Sequence, residues 1–570
     1  MVEPKKHIQN IVPYPIEADI DWDLKLDFNE NLIGPSPKVL RAIRNVDPKK
    51  IKFYPAYENL ITAIAKYNNV NIKNIIPVNG TDEGYRYIFD AYCSLGDNVL
   101  SITPAFSMPK IYAQIANCNY KEIPYKEKWI FPIEEFLEEI TPSTKLVIVT
   151  SPNSPTGELI SDENLERIIE KAQNSLVIID ETYANYANKT YVKYPERYNN
   201  VLVLKSMSKD FATAGLRLGY LISTEEIINN IKRIASPYSV NAMAALAGTV
   251  ALSDTGHVEK VKKEIEKSKK YLCEELTQFA KTIYPSKTNF LCVDFGKRAN
   301  YIYKKLLRNK IKVKQLSGIA ENCFRITIPP YQDAKKLIKV LAEKKPLIVF
   351  DMDGVLIDAS NSYRIAIQMT FKHFSGKEVS LEKIQEYKNL GGYNNDWILT
   401  EKLLQDEKVK VKYEDIVQKF NEFYFGKDGD GLISNEKWLV TRDELEKLSK
   451  KYDLAIFTGR QRKEALFALR NMGVEELFEP IITMDDVAED EQKPHPRGLE
   501  IIKKIVVPKQ CWYLGDTRDD MKAGTAANVN SIGILPPQDK SKELENLLQN
   551  DGAMVVLNSV TQLANYLEKK

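Results

Sequence analysis

The sequence predicts an α/β protein built from two successive, mostly parallel sheets. Three observations carry that reading. Short continuous apolar runs alternate with amphipathic stretches, each run ends on turn-forming residues, and the whole series restarts abruptly near residue 345. Strands covered by helices on both faces read as unbroken Val/Ile/Leu runs rather than as alternating ones. In such sheets ligands gather at the carboxyl ends of the strands, so chemistry is expected in the residues just after each run. At roughly 150 residues per domain, 570 residues correspond to about four compact units.

The first series consists of IIPVN (75–79), NVLSIT (98–103), KLVIVTS (145–151), SLVIID (175–180) and VLVLKS (201–206). The uncharged stretch 234–253 contains Pro237, Asn241 and Gly248, which makes it too polar for a membrane span and better read as packed helix or loop. A helix over 332–343, QDAKKLIKVLAE, is expected to bury Leu337, Val340 and Leu341 on one face. Only a few residues separate it from the second series: PLIVFDMDG (346–354), YDLAIFTGR (452–460), EPIITMDD (479–486) and CWYLGDTRDD (511–520). The boundary therefore falls near 345. The roughly 90 residues between the first two runs of the second series read as a mainly helical insertion. Within it, KDGDGLISNE (427–436) has the look of a calcium loop, but Leu432 and Ile433 occupy positions five and six, so a polar turn is the better reading.

Composition excludes several classes. The net charge is +2, with 44% hydrophobic and 28% charged residues, which fits a globular protein and gives no support for nucleic acid or membrane partners. The charge is unevenly divided, with 49 Lys+Arg against 40 Asp+Glu over 1–345 and 31 against 38 over 346–570. Six scattered cysteines and four dispersed histidines argue for buried thiols in a reducing compartment and against a disulfide framework or a histidine metal site. The first residues lack an apolar signal core, so a cytoplasmic location is expected.

In SMSKDFATAGLRLGY (206–220), Lys209 follows a strand and is flanked by Ser206 and Ser208, with Arg217 eight positions on. A buried lysine with a depressed pKa can form an imine with an aldehyde cofactor, and the neighbouring hydroxyls and guanidinium suit a phosphate. NGTDEGYRYIF (79–89) sets Gly80, Thr81 and Asp82 where a helix begins, and free amides there favour an anion or, more plainly, an ordinary cap. SLVIIDETY ends a strand on Asp180, which could meet a protonated ring nitrogen or lie in a simple turn.

Seven segments in order, LDFNENLIGPSP (26–37), FYPAY (53–57), NGTDE (79–83), SPNSPTG (151–157), DETY (180–183), SMSK…GLRLGY and FRIT (324–327), resemble the fold type I pyridoxal-phosphate aminotransferases, most closely the histidinol-phosphate aminotransferase group. The resemblance spans about 10–345 and implies a large domain over about 40–235 and a small one from both termini. It implies that Lys209 is the imine-forming lysine, Asp180 the partner of the pyridinium, Tyr183 a donor to the phenolate oxygen and Phe106 a stacking ring. Gly80, Thr81, Asp82, Ser206, Ser208 and Arg217 would cradle the cofactor phosphate. Tyr54 would reach the neighbouring subunit's cofactor, which implies a homodimer, while Arg325 and Tyr14 would bind the substrate. Ser154 stands where the family usually has an Asn that bonds the cofactor's phenolate oxygen, and its shorter hydroxyl can donate one such bond; Lys314 lies where the family often has Arg, and Pro329-Pro330 replaces a small-residue turn.

In FDMDGVLID, Asp351 and Asp353 are two apart on an extended segment and share a face, so both can converge on one centre. A carboxylate nucleophile beside a carboxyl acid/base suits phosphoryl transfer. Thr458 and Gly459 of FTGR, Lys493 of KPHP, and Asp516 with Asp520 of GDTRDD add phosphate donors, a cation and oxygen ligands for magnesium. This ordered set resembles the haloacid-dehalogenase-like phosphohydrolases over roughly 346–570, with a core at 346–358 and 452–570 and a cap at about 359–451. The resemblance implies Asp351 as nucleophile, Asp353 as acid/base, and Mg²⁺ held by Asp351, Asp516 and the Asp353 carbonyl.

Together these features predict a bifunctional enzyme that uses pyridoxal 5'-phosphate and Mg²⁺. It would transaminate a small phosphorylated compound of the histidinol phosphate type, with an amino acid as donor, and hydrolyse a phosphate ester. Two rival readings remain at this level. One is decarboxylation of a phosphorylated amino acid on the first site, and the other is a second half that regulates without catalysing.

Overall fold

The computed structural model describes residues 2–13, 21–390, 393 and 395–569, except for the side chain at 389. The chain divides into two compact units, Met1–Ala342 and Glu343–Lys570. Among the described residues, no helix is long and apolar enough to cross a membrane.

The first unit is organised around a seven-stranded sheet in the order Ile75–Val78, Gly219–Ile222, Val201–Ser206, Leu176–Asp180, Thr144–Thr150, Asn98–Thr103, Asn119–Pro124. Only Gly219–Ile222 runs against its neighbours. Every residue of Val201–Ser206 and Leu176–Asp180 is buried, as unbroken apolar runs require when helices cover both faces. The chain turns from Ile75–Val78 directly into the helix Gly80–Tyr92, and the Glu83 carboxylate accepts the Asn79 amide hydrogen at 2.7 Å to cap its first turn. Helix Ala242–Ser253 packs on Pro37–Arg44 and Glu58–Asn68, so the charge-free 234–253 stretch ends in a packed helix that extends the larger body beyond residue 235.

A second, five-stranded sheet follows the order Leu24–Leu26, Ile311–Gln315, Cys323–Thr327, Phe290–Asp294, Thr282–Ile283, drawing strands from both ends of the unit. Helix Tyr331–Ala342 buries Ala334, Leu337, Ile338 and Leu341. The apolar face is thus set one position away from the expected one: Ile338 is buried and Val340 only half-buried, because the 334, 337, 338, 341 spacing follows the 3.6-residue period.

The second unit carries six parallel strands in the order Phe478–Ile482, Asp453–Phe457, Leu347–Phe350, Cys511–Gly515, Asn530–Ile534, Val555–Leu557. Leu347–Phe350 lies between Asp453–Phe457 and Cys511–Gly515, so the segments after all three strands converge at one edge. Four helices, Tyr363–Ser375, Leu381–Leu390, Asp396–Asp406 and Tyr413–Tyr424, pack around Ile367, Phe371, Leu399, Leu403, Ile416 and Phe420. Two stems join this insertion to the sheet, where Ile357–Asp358 pairs antiparallel with Lys437–Trp438. Helix Arg442–Lys451, expected in the cap, instead buries Leu445 and Leu448 in the same cluster as the sheet strands, because its apolar positions face Leu454 and Ile456 rather than the insertion.

Candidate functional sites

In the first unit the parallel neighbours Leu176–Asp180 and Val201–Ser206 pair Asp180 with Leu204, so their carboxyl ends emerge side by side. They open into a cavity of about 590 Å³ lined by Thr81, Asp82, Phe106, Ser154, Asp180, Tyr183, Ser206, Ser208, Lys209, Arg217 and Arg325. Lys209 Nζ donates to the carbonyl of Phe28 at 2.6 Å. Burial, reinforced by the Arg325 charge, lowers its pKa from 10.5 to about 8, which leaves a usable fraction of free amine near neutral pH. Asp180 is 2% exposed and accepts hydrogen bonds from the Tyr85 hydroxyl at 2.8 Å, the Thr182 hydroxyl at 2.7 Å and the Thr182 amide at 3.0 Å. Burial pushes its pKa up and these donors hold it down.

Arg217 adopts a left-handed backbone (φ 57°) and its Nη2 donates to Asp82 at 2.7 Å. It lies so close above Gly80 that a Cβ there would sit 2.7 Å from Nη2, and Gly80 itself has φ +78°. Gly80 therefore shapes the cradle without lining it. Arg325 donates to Ser154 Oγ at 3.1 Å and to the Asp27 carbonyl. Tyr54 is 80% exposed, stacked on Tyr238 at 4.6 Å, and does not line this cavity. Tyr14 lies outside the described residues. Three residues escaped the sequence reading: Tyr85 and Thr182, which bind Asp180, and Asn29, whose Nδ2 donates to the Tyr183 hydroxyl at 2.8 Å. Asn29 stands in the quoted LDFNENLIGPSP segment, which is where a signal existed.

An aldehyde cofactor with a pyridine ring and a phosphate needs an amine, a carboxylate for the ring nitrogen, a hydroxyl for the ring oxygen, a flat apolar face and a phosphate cradle. Lys209, Asp180, Tyr183, Phe106 and the Thr81/Ser206/Ser208/Arg217 group supply these within one cavity. The residues fit such a group.

In the second unit, Asp351 accepts an ion pair from Lys493 Nζ at 2.9 Å, and Asp520 accepts one from the same nitrogen at 2.7 Å. Asp520 also accepts from the hydroxyls of Thr517 at 2.6 Å and Tyr513 at 2.5 Å, so it orients Lys493. Single oxygens of Asp351, Asp516 and Asp520 lie within 4.8 Å of one another. Burial and the charges of Asp520 and Asp351 push the Asp516 carboxyl well up, and burial raises Asp351 to about 7 despite Lys493. Such crowded oxygens with excess negative charge suit a hard divalent cation. A Cβ at Gly354 (φ +72°) would fall 2.0 Å from Asp516 Oδ2, so the backbone leaves room for that carboxylate alone. The residues fit Mg²⁺.

Asp353 and Gly459 line a cavity of about 100 Å³ with Asp351 and Asp516, covered from the insertion by Arg364, Gln385, Lys388 and Trp397. The Asp353 side chain pairs with the guanidinium of Arg460, a residue that the sequence motifs do not single out. Thr458 is buried and its hydroxyl accepts the Arg460 amide hydrogen at 3.2 Å.

Residues 23–365 match the family of class I and II aminotransferases, and residues 348–534 match the haloacid dehalogenase-like hydrolases. The first match runs past Ala342, where the first unit ends, into the strand Leu347–Phe350 of the second sheet. The histidinol-phosphate aminotransferase of Caldanaerobacter subterraneus subsp. tengcongensis is 33% identical over 346 residues, covering 60% of this chain and 97% of the relative. That of Methanocaldococcus jannaschii is 33% identical over 333 residues, covering 56% and 88%. The structure of a Sinorhizobium meliloti histidinol-phosphate aminotransferase in complex with pyridoxal-5'-phosphate superposes with a TM-score of 0.55 at 22% identity, covering 59% of this chain and 98% of that one.

Proposed function

Because the chain belongs to the class I and II aminotransferases, we propose that its first unit is a pyridoxal 5'-phosphate-dependent transaminase of the histidinol phosphate/imidazole-acetol phosphate type, and that its second unit is a Mg²⁺-dependent phosphatase. One observation carries the reading: a single chain holds both the Lys209 cavity and the Asp351 carboxylate cluster, each with its accessory groups assembled.

Pyridoxal 5'-phosphate, when bound, supplies the electron sink for moving an amino group. Lys209 provides the amine that anchors the cofactor and then carries a proton at its Nζ. Asp180 retains a proton at the ring nitrogen, which its Tyr85 and Thr182 donors favour by keeping the carboxylate charged. Tyr183, steadied by Asn29, donates to the ring oxygen, and Ser206, Ser208, Arg217 and the Thr81 and Asp82 amides hold the phosphate. Arg325, braced by Ser154, binds the anionic end of the substrate or of the amino-acid donor. The exposed Tyr54–Tyr238 stack, which does not line its own cavity, supports a homodimer in which Tyr54 completes the partner's site.

In the second unit Asp351 attacks phosphorus while Asp353 serves the leaving oxygen, Lys493 and the Thr458/Gly459 loop hold the phosphoryl group, and Asp351 and Asp516, with the Asp353 carbonyl, would hold Mg²⁺ as the Lewis acid that neutralises the phosphoryl charge. The intact ion pair of Asp351 with Lys493 favours catalysis over a purely regulatory role. The test supplies imidazole-acetol phosphate and glutamate with both cofactors, then follows histidinol and free phosphate. Turnover of neither, with Lys209 and Asp351 intact, removes the histidine assignment.

A further inference from the structure

Arg460 follows the strand Asp453–Phe457 and its side chain is 0% exposed. It holds two carboxylates at once. Nε lies 3.2 Å from both oxygens of Asp353 and Nη2 lies 2.5 Å from one of them. Nη1 and Nη2 lie 2.9 and 3.0 Å from the two oxygens of Glu436. A planar fork matched to two carboxylates fixes their orientation in a way that the single ammonium of a lysine cannot.

Glu436 belongs to the insertion's side of this pair. It immediately precedes the stem Lys437–Trp438, and one of its oxygens accepts from the hydroxyls of Ser362 at 2.8 Å and Tyr424 at 3.0 Å. Ser362 precedes the first insertion helix and Tyr424 ends the last. Tyr363 adds a second tie, donating to Glu464 at 3.0 Å beside the Arg460 charge, which lies 5.2 Å from its ring. A continuous chain of charge-assisted contacts therefore runs from both ends of the insertion, through Glu436 and Arg460, to Asp353.

We propose that Arg460 is a positioning residue that aims the Asp353 carboxyl at the leaving-group oxygen, and that Glu436 makes this aim depend on the seating of the insertion. The inference rests on the phosphatase reading of Asp353. In that reaction an oxygen of Asp351 bonds to phosphorus as the ester P–O bond breaks, and the Asp353 proton passes to the departing alkoxide. Water then cleaves the acyl phosphate, its proton returns to Asp353 and inorganic phosphate leaves. Only the first of these transfers depends on how good the leaving group is.

The test compares the full-length wild type with Arg460→Lys and Glu436→Gln in Mg²⁺, using an alkyl phosphate monoester and p-nitrophenyl phosphate. Glu436→Gln is nearly isosteric and guards against a folding failure of Arg460→Lys. Since p-nitrophenolate departs without a proton, kcat/KM, which reports only the steps up to phosphoryl transfer onto Asp351, should fall by about 10- to 100-fold on the alkyl ester and by less than about threefold on the aryl ester. An equal fall on both esters, or none on either, overturns the inference. Absence of phosphate release by the wild type from either ester overturns the phosphatase reading beneath it.

Discussion

Tyr85 donates its hydroxyl hydrogen to Asp180 at 2.8 Å, reaching from the helix Gly80–Tyr92 to the end of the strand Leu176–Asp180. The same helix opens with Thr81 and Asp82 on the cavity wall, so one rigid element serves both the carboxylate and the anion cradle. The helix is held in turn by its apolar side, where Ile88 and Phe89 lie in the cluster formed by the sheet.

Replacing Tyr85 by Phe removes only the hydroxyl from a fully buried ring. Asp180, already pushed up by burial, then keeps only the donors of Thr182 and is less readily ionised. Loss of a buried hydrogen bond to a charged group costs about 1–3 kcal/mol. Affinity for pyridoxal 5'-phosphate is therefore expected to drop about tenfold, as followed by absorbance titration. An unchanged dissociation constant would show that Thr182 alone keeps Asp180 charged.

The depressed Lys209 predicts a pH dependence with a definite sign. Between about 8 and 10.5 the unfolded chain holds a proton on this lysine that the folded apoprotein does not, so its contribution to stability rises with pH across that window. Below about 8 both states are protonated and the cost of burying the charge is fully present. Lys209→Met is thus expected to stabilise the apoprotein at pH 7, with the advantage shrinking as pH rises toward 10.5. Urea midpoints of both proteins across that range measure it.

What could be read from the sequence followed from how far apart the partners are. Lys209, Asp180, Asp351 and Asp516 each end or follow an unbroken apolar strand, and a parallel sheet brings such positions to one edge, so the runs mark where chemistry is expected while the role of each is implied only by the ordered motifs and the resemblance they carry. Asn29 could not be read that way. It reaches Tyr183 from across the chain, and its left-handed backbone is held where its amide meets Thr327, 298 residues away. Arg460 and Glu436 are 24 residues apart, with Glu436 at the end of a segment whose Asp and Gly residues suggest only a polar turn. Its buried role comes from the closing of the insertion's stems, a tertiary event without a local pattern. The shorter cap has the same origin, because the 442–451 helix is amphipathic on either reading and only the sheet decides which surface it covers.

The crowded carboxylates of the second unit predict a metal-dependent gain in stability. Desolvation of Asp516, with the charges of Asp520 and Asp351, outweighs the Lys388 charge and pushes its carboxyl well up. Mg²⁺ at about 100 times its dissociation constant should stabilise the folded unit by about 2.7 kcal/mol. Asp516→Asn removes one ligand and one charge, so the melting shift on adding Mg²⁺ should largely vanish. A shift equal to that of the wild type would place the cation elsewhere.

Gly354→Ala separates the two activities. The added Cβ would meet Asp516 Oδ2 at 2.0 Å and Gly354 has φ +72°, so either the loop after Asp353 or the Asp516 carboxylate must move. A left-handed non-glycine residue costs about 1–2 kcal/mol by itself, and displacement of a metal ligand adds a loss of function to that strain. Phosphate release should fall at least about 100-fold, since misplacing a reacting group by about 1 Å can cost that much. On the proposed function transamination rests on Lys209, in a unit that ends at Ala342, and it should keep the wild-type rate. Measuring both reactions on one preparation decides the matter: a parallel loss would mean that the first unit depends on the second for its own chemistry.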